Sequence, residues 1–101
     1  MITKALLFRY ESQTDEDTMD TFLEDLATDV SWEKATQAWF GIRYMRGEFG
    51  MYSCFDDEAG REAHLNGKVA AALMEKARSG DLFARPPEIH RLGIMADKLP
   101  H

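Results

Sequence analysis

Cysteine is nearly absent: Cys54 is the single one in 101 residues. That excludes an intrachain disulfide and leaves nothing from which to build a zinc cluster of cysteines and histidines. Proline is confined to Pro86, Pro87 and Pro100, so nothing before Pro86 forbids continuous regular structure. No apolar stretch approaches the roughly 18 residues of a membrane span. The apolar part of the opening MITKALLFRYES, Ala5 to Phe8, is also far shorter than a signal-peptide core of about 7–15 residues. The default compartment is the cytoplasm. Basic residues are short too, with 12 Lys and Arg against 18 Asp and Glu for a net charge of −6. Binding nucleic acid requires a basic face to replace phosphate counterions, and binding an anionic membrane requires the same sign of charge, so both classes are disfavoured. Cofactor motifs are missing: there is no G-x-G-x-x-G, no P-loop and no H-E-x-x-H. The acidic runs Asp15-Glu16-Asp17 and Asp56-Asp57-Glu58 lack calcium-loop spacing and read as charges at helix N-termini. No cofactor and no metal are expected.

What is present is dense, alternating strand and helix patterning. Residues 2–10 read as a strand, with Ile2, Leu6, Phe8 and Tyr10 on one parity and Ala5 and Leu7 on the other, as in a strand covered on both faces. Residues 15–30 read as a helix capped by Thr14 or Asp15, with Met19, Phe22, Leu23, Leu26 and Val30 forming one apolar stripe. Residues 36–45 and 48–55, rich in aromatic and β-branched side chains, read as a hairpin about a two-residue Arg46-Gly47 turn. A regular ladder from that turn sets 44 opposite 49, 43 opposite 50 and 39 opposite 54. Phe40, Ile42, Tyr44, Phe49 and Met51 then share a face expected to lie under helices. Trp39, Gly41, Arg43, Gly50, Tyr52 and Cys54 share the other, a mixed aromatic and cationic face suited to the wall of a cavity or an interface. Asp56 is the expected cap of a helix running to about Asn66, and Asn66-Gly67 breaks it before a second stretch from Lys68 to Ala77. Pro86-Pro87 stiffens the entry to a last strand over 88–96.

The order β-α-β-β-α-β predicts a ferredoxin-like α+β fold, one domain over 1–101 with a four-stranded antiparallel sheet and helices on one face. So few helices cover only one face, yet the strands are apolar on both. A second copy of the chain is the expected cover for the other, closing two sheets into a barrel.

From Trp39 to Pro100 the chain resembles the antibiotic biosynthesis monooxygenase-like family of the dimeric α/β-barrel superfamily. The resemblance is carried by Trp39-Phe40-Gly41-Ile42-Arg43, Phe49-Gly50-Met51-Tyr52, the run from Phe55 to Gly67, Val69 to Met74, and Pro86-Pro87-Glu88-Ile89. The segments Glu11 to Thr14 and Ser31 to Ala35 depart from it, lacking the Pro-Gly turns of that group. The resemblance implies a homodimer and an oxidation of a small aromatic phenol or enol in which the substrate itself reduces oxygen, with no cofactor. The same fold also hosts non-catalytic small-ligand-binding proteins, isomerases and haem-handling proteins. Haem degradation is disfavoured because no histidine falls between 65 and 89, where such relatives carry the axial ligand.

His64 is the candidate acid–base residue, since histidine alone titrates near neutrality without help. Its other reading is structural, a histidine that fixes the helix junction at Asn66-Gly67. Trp39, Arg43 and Tyr52 are the candidate substrate-binding set, able to stack on and orient a flat anion, or else to pack against the partner chain. The expected pocket is walled by these three residues with His64 near its mouth. Cys54 reads as an inert buried thiol.

Overall fold

The computed structural model describes residues 1–12, 16–45, 47–79, 83–84 and 87–99. Its elements are β1 (Lys4–Glu11), α1 (Glu16–Val30), β2 (Thr36–Met45), β3 (Glu48–Phe55), α2 (Glu58–Leu65), α3 (Lys68–Ser79) and β4 (Glu88–Gly93). The strands form one sheet in the order β2-β3-β1-β4, and every neighbouring pair is antiparallel. This is the ferredoxin-like α+β fold, with the second helical region broken in two. The break is where the sequence places it. Asn66 ends α2, its backbone N–H donating to the Glu62 carbonyl while Gly67 N donates to that of His64, and α3 begins at Lys68. The cap at the other end of α2 is Asp57 rather than Asp56, its side chain accepting from Gly60 N at 2.9 Å. The expected caps of α1, Thr14 and Asp15, lie outside the described residues.

Periodicity decides which side chains meet. Leu6, Phe8 and Tyr10 of β1 lie beside Phe49, Met51 and Phe55 of β3 on one face. There they pack against Met19, Leu26 and Val30 of α1 and Val69 and Leu73 of α3. Arg61 of α2 reaches the β1–β4 seam, where its guanidinium donates to the Ala5 and Leu92 carbonyls at 3.3 and 3.1 Å and pairs with Glu58. Among the described residues no helix is long and apolar enough to cross a membrane.

The hairpin corrects the expected faces. Met45 pairs with Glu48, and Gly47 before it has a positive φ of 82°. Arg46 lies outside the described residues. One residue further along, the ladder is irregular: Met45 is opposite Glu48, but Arg43, not Tyr44, is opposite Phe49. Tyr44 is the extra residue of a β-bulge, and an extra residue exchanges the two faces beyond it, here as far as a second shift in register between Ala38 and Thr36. Trp39, Gly41 and Arg43 therefore lie on the helix side, opposite Ser53, Met51 and Phe49. Phe40 and Ile42 lie on the open side, opposite Tyr52 and Gly50.

Candidate active site

The site starts where α1 runs out. The backbone after Val30 turns sharply, with Ser31 N donating to Ala27 O, Trp32 N to Asp29 O at 3.2 Å, Glu33 N to Val30 O at 2.8 Å, and Thr36 N to Glu33 O at 3.3 Å. These bonds fix a loop that sends consecutive side chains opposite ways. Trp32 is 84% exposed, whereas Glu33 turns inward. Glu33 Oε1 meets Nδ1 of His64 on α2 and also accepts the Thr36 hydroxyl at 2.8 Å. The His64 ring is buried, only 4% exposed, with its centroid 5.5 Å from that of Phe55.

Beside this pair lies a cavity of about 620 Å³. Its walls are the Trp32–Thr36 loop, Gly60, Ala63 and His64 of α2, and the Gly67–Val69 segment that opens α3. The size falls in the range of small-molecule sites. A carboxylate on Nδ1 holds that nitrogen's proton and leaves Nε2 as the nitrogen that accepts one, and it stabilises the imidazolium formed when it does. The arrangement is that of a general base held by a neighbouring acid. Among the described residues no group of three or more His, Cys, Asp or Glu side chains is placed to hold a metal ion.

The sequence-predicted residues are not brought together. His64 lines the cavity; Trp39, Arg43 and Tyr52 do not. Trp39 sits over α1, lining a shallower groove of about 280 Å³ with Asp20, Leu23 and Gly41. Arg43, on the same side, pairs with Asp20 of α1 at 2.9 Å and lies 5.6 Å above the Phe49 ring. Tyr52 is on the opposite side of the sheet, between Leu7 and Phe40, and burial together with a hydrogen bond to Cys54 raises its phenol pKa. The expected common wall of Trp39, Arg43 and Tyr52 is thus overturned by the bulge at Tyr44. What sequence reasoning missed is Glu33. Its signal was slight: a Trp-Glu pair in the loop Ser31 to Ala35, where the chain departs from the resembling group.

No protein-family profile matches the chain, and no curated protein does. Solved structures do match. A protein provisionally named an antibiotic biosynthesis monooxygenase, from Caulobacter crescentus, superposes with a TM-score of 0.75 at 16% identity, over 94% of this chain and 92% of that one. One of the same provisional name from Nitrosomonas europaea gives 0.74 at 12% identity, over 92% and 90%. At such identities the likeness is one of fold. A protein of unknown function from Nitrosomonas europaea gives 0.91 at 39% identity, over 100% of this chain and 97% of that one. On that identity across its whole length, the chain belongs to the same family as this Nitrosomonas europaea protein of unknown function.

Proposed function

We propose that the chain is a monooxygenase of a small phenol or enol, in which His64, held by Glu33, is the base. The observation that carries the reading is buried His64 paired with half-buried Glu33 on the wall of a cavity of about 620 Å³. The fold shared with proteins provisionally named antibiotic biosynthesis monooxygenases supports the reaction type. The chemistry balances with no further reductant. Nε2 takes the hydroxyl proton, and the resulting anion gives one electron to O2. The radical pair joins as a carbon-bound peroxide, which takes up a proton and loses water to leave a quinone. One oxygen atom ends in the product and one in water. The protein's part is to hold the proton on the imidazolium beside Glu33 and to keep bulk water from the anion.

The reading includes a homodimer formed through the open sheet face, which leaves one cavity on the helix side of each copy. Oxygen consumption with a panel of dihydroxynaphthalenes tests the activity. Uptake is expected with at least one of them, and His64→Ala is expected to lower it by about 10²–10⁴-fold, the usual worth of a positioned base. Uptake unchanged in that variant assigns His64 to fixing the α2–α3 junction. Binding without any uptake makes the chain a ligand-binding protein of the same fold.

A further inference from the structure

We infer that the cavity beside His64 selects planar aromatic carboxylates, with Trp32 stacking on the ring and Lys34 and Lys68 holding the carboxylate at the mouth. The inference rests on this cavity being the site, and it deepens the proposed function by naming the substrate class.

Trp32 is the first observation. An indole is a large apolar surface, yet this one is 84% exposed on a loop whose backbone is fixed by consecutive hydrogen bonds. It lines the cavity between the end of α1 and the helices α2 and α3, away from the open sheet face, so a second copy docked on that face leaves it uncovered. An uncovered indole carried at the rim of a cavity by a hydrogen-bonded loop is a stacking surface for a flat ligand. The second observation is charge. Lys34, two residues past Trp32, and Lys68, the first residue of α3, line the same cavity. The first turn of α3 carries no acidic residue, so its positive end adds to these ammonium groups. The cavity also has two acids, and only Asp29 stands at the mouth with the two lysines, leaving one net positive charge there. Glu33 is engaged by His64 and Thr36, and Asp29 stands exposed on the last turn of α1. Depth orders the ligand: the lysines and Trp32 are at the exposed rim, and His64 is at the buried end. The carboxylate then stays at the mouth and the hydroxyl to be deprotonated points inward.

The test is calorimetric binding at low ionic strength without oxygen, comparing 6-hydroxy-2-naphthoate with 2-naphthol. The carboxylate is expected to bind roughly five- to tenfold more tightly, the worth of two rim ion pairs. The double variant Lys34→Gln/Lys68→Gln is expected to erase that difference and leave 2-naphthol binding unchanged. Trp32→Ala is expected to weaken both ligands by about threefold to tenfold. Equal binding of the two ligands, or a preference that survives the double lysine variant, overturns the inference. A preference lost with the lysines, but without oxygen uptake in air, supports it while removing the monooxygenase reading. Oxygen uptake with no carboxylate preference does the reverse.

Discussion

At the scale of single residues, the core contains a tyrosine whose environment makes a prediction of its own. Tyr10 is buried between Phe49 and Phe83, and its hydroxyl donates to the Met19 sulfur at 3.5 Å. A thioether is a weak acceptor and offers nothing to a phenolate, so burial pushes this phenol well above its ordinary value. In the unfolded chain the same group ionises at about pH 10. Above that pH the unfolded state has lost a proton that the folded state still holds, so stability falls as pH rises. Urea midpoints measured from about pH 9 to 11 should fall faster for the natural chain than for Tyr10→Phe, which has no proton to lose there. Parallel slopes would show that Tyr10 can reach water. His64 makes a different point at this scale. Its candidacy as a base was legible in the residue type, but its partner was not, because Glu33 and His64 lie 31 residues apart and no local spacing joins them. Only the return of the chain from α1 through the hairpin to α2 brings them together.

At the scale of elements, the strands and helices were legible because each carries a strong period. The stripe of Met19, Leu26 and Val30 faces the sheet as its spacing requires, and the Asn66-Gly67 break falls between α2 and α3. The hairpin turn was legible for the same reason. The register beyond it was not, since Tyr44 and Met45 both suit a strand and nothing local marks one of them as extra. The reason for the bulge is visible in three dimensions. The Tyr44 ring lies across Gly50, and the Arg9 guanidinium, paired with Glu48, sits 4.8 Å above that ring. A Cβ at position 50 would lie 2.7 Å from the Phe8 carbonyl oxygen and 2.8 Å from Tyr44 Cε2. Gly50→Ala should therefore destabilise the fold by about 1–3 kcal/mol, as overpacking does elsewhere. Adding Tyr44→Ala should recover only the part due to the ring, since the Phe8 contact is with backbone. Denaturant unfolding of the two variants measures both terms, and a neutral Gly50→Ala would remove the packing account of the bulge.

At the scale of the whole molecule, the helices bury one face of the sheet and leave the other uncovered. That open face presents Leu7 of β1, Phe40 and Ile42 of β2, Tyr52 of β3 and Leu92 of β4. Phe40 is 56% exposed and Leu92 36%. An apolar face drawn from four strands is the kind of surface that marks an interface, and a second copy of the same face offers a matching one. The same face also carries Arg9 on β1 and Glu88 and His90 on β4, exposed side chains that keep access to water. The exchange of faces at Tyr44 bears on this, because it places Phe40 and Ile42, rather than Arg43, on the open face along its β2 edge. Light scattering at micromolar concentration should give the mass of two chains, and an obligate interface of this kind buries more than about 2,000 Å² in total. Phe40→Asp, which puts a charge into that apolar face, should give monomers or a dimer weakened by several kcal/mol, since an unpaired charge cannot be left in an apolar contact. Arg43→Ala is the control. Its side chain pairs with Asp20 on the helix side, so the dimer should persist in that variant. Dissociation by Arg43→Ala with retention by Phe40→Asp would place the interface on the wrong face of β2.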